Sequence, residues 1–357
     1  MKNLIHFLSY YLFFTSCANI VLPTGGEKDI APPKLLKTSI NNNSINFQDD
    51  EITFIFDENI AANMWGENFC ISPLTNEPAK FKIKGRMLSI NLKGILKEKT
   101  TYNLNLNNCI KDINEGNVLD SLRFSFSTGD SFDSLMLFGT IVDALTLETK
   151  SGIRVFLQDT SVVDSLCFLT QPKHVTKTNN NGEFLFTNLN DHNYKIFCVS
   201  GSDYSYHEND DIGFYDNLIN AQNSKTINLV MYDPLLSQTE KRDTVQLDTL
   251  QKKINDTKIR INCSVNENVI IQLYDGKEIE KEIFLNKSPY LIENIAPGTY
   301  NLKIILDKNK NNIWDKGNFS EKILPEKVFI YKEKINLREN WTLELDCIIN
   351  SKIISVL

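Results

Sequence analysis

The chain has 357 residues, more than one hydrophobic core usually serves, so two or three domains are expected. A formal net charge of −7 with 41% hydrophobic and 23% charged residues is the balance of a globular protein, not of a disordered chain or an integral membrane protein. The acidic balance and the lack of a basic stripe argue against nucleic acid as a partner, and four His leave little material for His-based catalysis or a His-rich metal site.

Residues 1–16 read as an export signal. Lys2 precedes an apolar run from Leu4 to Phe14 that only His6 and Ser9 interrupt. As a helix that run rises about 16 Å, well short of a hydrocarbon core of about 30 Å, and small residues follow it, as they do in secretory signals. The continuation Phe14-Thr15-Ser16-Cys17 resembles a bacterial lipobox, with Phe where Leu is usual. That resemblance implies acylation of Cys17 and attachment to a membrane through the lipid. Residues 17–31, with paired Gly and a Pro pair beyond, read as an extended tether.

From residue 32 onward nearly every segment alternates apolar and polar residues and ends in Asn, Gly or Asp turns. The expected fold class is all-β, with three tandem antiparallel β-sandwich domains at 32–129, 133–234 and 257–350. The polar stretch 235–256 is expected to be a linker or long loop. In the first domain, Ile52-Thr-Phe-Ile-Phe56 ends in an acidic turn and Gly85 opens a strand through Ile90. Leu96 and Tyr102 have the spacing of a tyrosine corner, Gly116 supplies a turn with positive φ, and Phe124-Ser-Phe126 closes the set. These elements in this order resemble the bacterial Ig-like domain first described in S-layer proteins.

In the second domain, Phe138-Gly-Thr-Ile-Val142 and Gly152-Ile-Arg-Val-Phe156 are followed by the turn Asn179-Asn-Asn-Gly182. A Phe184-x-Phe186 strand comes next, then Tyr194. The series resembles carboxypeptidase-regulatory-like or transthyretin-like sandwiches, with Asn193 where Gly usually precedes the Tyr; Asn tolerates the left-handed region and is expected to take it here. Phe186-Thr-Asn-Leu189 then Tyr194 parallels Ile292-Glu-Asn-Ile295 then Tyr300, so the third domain reads as a second copy. With Pro23-Thr24-Gly25-Gly26, Lys28-Asp29 and Pro32-Pro33 in the tether, the whole chain resembles a class of Bacteroidota lipoproteins. That resemblance implies an envelope location and does not point to any activity; the expected place is the outer membrane, with its face left open.

Seven Cys less Cys17 leave six, two in each expected domain. Export permits disulfides, and the expected pairs are Cys70–Cys109, Cys167–Cys198 and Cys263–Cys347, the last being the best placed. The alternative is six small buried hydrophobes. The sharpest ligand signal is Asp307, Asn309, Asn311 and Asp315 at positions 1, 3, 5 and 9, with the backbone of Ile313 at 7, the spacing of a calcium loop. Asn312 replaces the usual Gly and Asn318 the usual Glu, so weak Ca²⁺ binding or a loop closed by its own Asn side chains are both open. No other cofactor is expected. Residues 202–211 are acidic but off that register and read as a solvated loop. Tyr204, Tyr206, Phe214, Tyr215 and Trp314 fall in long loops, where aromatic rings could stack on sugars or pack. Asp243-Thr-Val245 and Asp248-Thr-Leu250 resemble the O-glycan acceptor triplet of exported Bacteroidota proteins. His174, His192 and His207 lie in no catalytic or metal motif. The reading is a non-enzymatic envelope lipoprotein acting as spacer and scaffold. The alternatives are a carbohydrate-binding chain and a periplasmic accessory subunit of an envelope complex. Partners are thus the membrane through the anchor, and an envelope protein or glycan.

Overall fold

The computed structural model describes residues 28–347 apart from 202, 208, 224–225, 237–255, 264–266 and 277. The expected signal, Cys17, most of the tether and the two glycan-acceptor triplets lie outside the described residues. Strand pairing falls into three groups that share no strand, each a β-sandwich with its own core.

The first group holds β1 (Leu35–Thr38), β2 (Glu51–Phe56), β3 (Ile60–Ala62), β4 (Cys70–Ser72), β5 (Lys80–Lys84), β6 (Met87–Asn91), β7 (Thr101–Asn105), β8 (Ile110–Asp112) and β9 (Arg123–Ser127), with the short helix α1 (Trp65–Asn68) between β3 and β4. The sheet β1-β2-β6-β5 faces the sheet β4-β7-β9. Alternation puts Ile52, Phe54 and Phe56 of β2 and Leu88 and Ile90 of β6 against Tyr102, Leu104, Phe124 and Phe126. The expected corner is present: the Tyr102 hydroxyl accepts the N–H of Lys97 at 2.8 Å. Gly116 takes φ +80° in a turn whose amides at Glu115, Gly116 and Asn117 all donate to the Asp112 carboxylate. Residues 43–47 run alongside the last strand, Asn43 donating to the Ser125 carbonyl and Ser127 to that of Ser44, in a parallel sense.

The second group is β10 (Leu135–Asp143), β11 (Arg154–Asp159), β12 (His174–Lys177), β13 (Glu183–Leu189), β14 (Asn193–Val199), β15 (Ile212–Phe214), β16 (Ile219–Asn220) and β17 (Thr226–Tyr232). They form one sheet in the order β12-β11-β14-β15-β17-β10-β13, with β16 on β14. The sheet folds over until its two ends meet, where Thr176 Oγ1 donates to the Leu185 carbonyl at 3.0 Å. The third group is β18 (Lys258–Cys263), β19 (Val269–Asp275), β20 (Glu278–Leu285), β21 (Tyr290–Ile292), β22 (Gly298–Leu306), β23 (Val328–Ile330), β24 (Ile335–Leu337) and β25 (Thr342–Cys347). The sheet β21-β18-β25 packs on β20-β19-β22-β23.

Two features depart from expectation. Pairing is antiparallel except that the first and last strands of the second and third sandwiches are parallel neighbours, β10 with β17 and β18 with β25. Period-two alternation is the same in either direction, so strand sense is not written in it. Asn193 is extended and lies in β14. The left-handed residues are Asn188 (φ 60°) and Asn294 (φ 57°), the Asn of the repeated pattern in both copies. Each is followed by a Tyr whose hydroxyl reaches back four residues, Tyr194 to Asn190 Oδ1 and Tyr300 to the Ala296 carbonyl. The repeat is thus a repeat of one turn.

Candidate functional site

The middle sandwich is apolar on both faces of its central strands. Val155 and Leu157 of β11 and Ile196 and Cys198 of β14 point into its core. Phe156, Phe197 and Val199 point outward, where Phe214 and Tyr232 join them. That outer face is covered from both sides. Phe319 of the third sandwich enters it with its ring centroid 4.9 Å from Phe168, 5.8 Å from Phe197 and 5.4 Å from Phe214. Cys70 and Leu74 of the first sandwich and Trp314 and Leu324 of the third pack on the same cluster, so all three sandwiches contribute to one apolar body. Beside it, Ile270, Ile305 and Val328 bury against Leu145 and Leu147 of the middle sandwich. Lys322 pairs with Asp164, which also holds Lys195 at 2.7 Å, and Lys316 donates to the carbonyls of Pro234 and Leu236. Gly317 makes the approach feasible: a Cβ there would stand 2.5 Å from the Tyr232 ring.

The loop that delivers Phe319 begins with the expected calcium set. Asp307 leaves β22 buried, and its two carboxylate oxygens accept the amides of Asn311 at 3.1 Å and Asn312 at 3.0 Å. Asn309 Oδ1 accepts the Asn311 amide and Asn311 Oδ1 that of Ile313, while both Asn side-chain amides donate to Asp315 Oδ2. A residue not anticipated from sequence completes the loop. Glu326, buried, accepts the amides of Lys308 at 2.7 Å and Asp315 at 3.2 Å, and its carbonyl takes the Trp314 indole N–H at 3.0 Å. Burial, with Asp315 and Asp307 nearby, pushes the Glu326 carboxyl above its usual range despite those two donors. The loop is thus closed by its own hydrogen bonds. Among the described residues no group of three or more His, Cys, Asp or Glu is arranged to hold a metal ion.

The joint between the first two sandwiches is polar and buried. Ser72 Oγ lies 3.4 Å from His174 Nδ1 and accepts the Val175 amide at 3.2 Å. Asn103 donates to Thr187 Oγ1 at 2.8 Å and to Asn188 Oδ1 at 3.2 Å, and Ser125 donates to Asn188 Oδ1 at 2.8 Å. The left-handed Asn188 therefore also carries the contact. Burial, and then the charge of Lys173, push His174 down to about 3, so its ring is neutral in this joint. At the rim is a cleft of about 640 Å³ lined by Trp65, Phe69, Phe81, Asn76 and Lys80 among others. Trp65 stacks on Phe69 and on Phe81, with centroids 4.7 and 3.9 Å away. Of the loop aromatics named from sequence, Phe214 is buried, Tyr204, Tyr206 and Trp314 are half-buried in the apolar cluster, and Tyr215 is exposed. The acidic loop turns inward at its end: Asp211 pairs with Lys150, and Asp210 accepts the His207 amide.

All six described cysteines are free thiols. Cys70 faces Tyr204 and the Val175 carbonyl across the joint, whereas Cys109 lies in the first core, so the two members of the expected pair belong to different clusters. Cys167 and Cys198 are likewise divided between the outer cluster and the inner core. Cys263 and Cys347 are direct register partners. Among the described residues, no helix is long and apolar enough to cross a membrane.

No curated protein matches the chain. Among solved structures, the N-terminal part of the bacterial S-layer protein SbsC is 12% identical over 57% of this chain and 44% of its own, with a TM-score of 0.20. The Bacillus anthracis TIE protein is 11% identical over 91% of this chain and 58% of its own, at 0.19. BcpA, the major pilin subunit of Bacillus cereus, is 12% identical over 56% and 70%, at 0.18. The chain thus spans less than two thirds of the length of the first two. Residues 29–128, the stretch that folds as the first sandwich, match the family of bacterial Ig-like domains.

Proposed function

We propose that the chain is a non-enzymatic scaffold of the bacterial envelope, a stiff arm of three sandwiches held at the outer membrane through a lipid on Cys17. The observation that carries the reading is the apolar cluster to which all three sandwiches contribute, with Phe319 at its centre. Sandwiches joined only by a tether would each keep a polar outer face, because a large exposed apolar patch is costly and aggregation-prone. Here the outer face of β11 and β14 is apolar because a neighbour covers it. The lipobox resemblance supports the anchor, and the match of the first sandwich to bacterial Ig-like domains is consistent with an exported scaffold.

The test is to place a site-specific protease sequence within residues 237–255 and cut the folded protein there. A docked third sandwich co-elutes with the rest after cleavage in native buffer; separation of the two pieces ends the stiff-arm reading. Anchoring is tested by labelling cells with an alkyne fatty acid, where wild type takes label and Cys17→Ser does not. A second reading, glycan binding, is favoured by the cleft where the Phe81 ring, 38% exposed, lies beside Asn76 and Lys80. A polysaccharide panel with wild type and Phe81→Ala decides it: retention lost in the variant supports the reading, and no retention by wild type removes it.

A further inference from the structure

We infer that Cys263 and Cys347 join in a disulfide that ties the first strand of the third sandwich to its last. The placement comes from the ladder. β18 and β25 are paired in parallel through six consecutive partners, from Lys258 with Thr342 to Cys263 with Cys347. On β18, Ile259, Ile261 and Cys263 have one parity; on β25, Leu343, Leu345 and Cys347 share it. All six belong to or pack against the same core, so both thiols leave the sheet on the same face. Neighbouring strands stand about 4.8 Å apart, inside the range of about 4.4–6.8 Å between Cα atoms that a disulfide bridges. The backbone of Cys263 is held in place as well: its amide donates to Ser288 Oγ at 3.0 Å, and that hydroxyl is 3.2 Å from its carbonyl.

The two side chains influence each other: interaction with Cys347, and then burial, raises Cys263 relative to an ordinary thiol, and interaction with Cys263 lowers Cys347. Half-buried Cys263 is the sulfur an oxidant reaches, whereas Cys347 is buried behind it. With oxidised glutathione as the acceptor, Cys263 loses its proton and its thiolate attacks one of the glutathione sulfurs, expelling a glutathione thiolate. Cys347 then loses its proton and attacks the Cys263 sulfur of the mixed disulfide, expelling the second glutathione. Two thiols lose two electrons and two protons, and one glutathione disulfide becomes two glutathione thiols. In an exported chain the same role falls to a protein disulfide of the compartment.

The experiment uses the full chain twice: isolated from cells with immediate alkylation, and purified reduced and then exposed to oxidised glutathione. Digestion without reduction is expected to yield a peptide holding Cys263 bound to one holding Cys347, with Cys70, Cys109, Cys167 and Cys198 recovered as alkylated monomers. Amide exchange over 258–263 and 342–347 is expected to slow about tenfold or more on oxidation, since opening either strand end then requires opening both. Cys263→Ala is expected to show no redox effect on exchange; should it fail to fold, the wild-type comparison decides alone. Separate alkylated peptides for Cys263 and Cys347 in both preparations, or a bridge from either to another cysteine, overturns the inference.

Discussion

His174 shows how one side chain sets the conditions under which two sandwiches stay joined. Its ring is buried between Ser72 and the edge of Tyr194, 5.5 Å away, with Lys173 adjacent. Its folded value lies far below the ordinary histidine value of about 6.5, so the unfolded chain binds the proton more readily. The stability it contributes is complete above pH 6.5 and is lost as pH falls from there toward 3. The loss is about 1.4 kcal/mol per pH unit, so between pH 7 and 4.5 the chain should lose about 2–3 kcal/mol through this residue. Urea unfolding at the two pH values should show a markedly smaller difference in His174→Gln. Asn294 makes a second residue-scale case. At φ 57° a Cβ-branched residue is strained, so Asn294→Val is expected to cost about 1–2 kcal/mol, whereas Asn294→Gly should be close to neutral. Thermal melts of the two variants check this.

At the scale of elements, the stretch from Asp307 to Glu326 works as a lever that seats Phe319. Asp307 and Glu326 shape it through backbone amides, and Gly317 lets it pass against Tyr232. Phe319→Ala should leave each sandwich folded but loosen the joint, at a cost of about 2 kcal/mol for a half-buried ring; release of the third sandwich after cleavage within 237–255 reads this directly. Gly317→Ala should act the same way, because the added methyl meets the Tyr232 ring. How much of this was legible varies by element. The Tyr102 corner and the Gly116 turn are local, and spacing alone located them. The repeated Asn-and-Tyr turn was visible as a pattern, but its left-handed residue was placed at Asn193 because the sequence does not show which Asn the strand leaves free. Glu326 carries no local signal, because it reaches the loop from 11 residues beyond Asp315, through space. A signal for the joints was present nonetheless. Val155-Phe-Leu157, Ile196-Phe-Cys-Val199 and Ile304-Ile-Leu306 interrupt the alternation with continuous apolar runs, the mark of strands covered on both faces.

On the scale of the whole molecule, the second and third sandwiches share one device. In each, the strand by which the chain enters lies parallel to the strand by which it leaves, whereas the first sandwich is entered through β1, which is antiparallel to β2. Tension applied between the ends of such a module drags two parallel neighbours past each other, so their bonds carry the force together in shear. In an antiparallel hairpin pulled at its open end, the bonds would unzip one at a time. Two modules built this way resist extension by geometry as well as by total stability. The direction of two strand pairings, which no hydrophobic pattern announces, thus decides how these modules bear a pull between their ends.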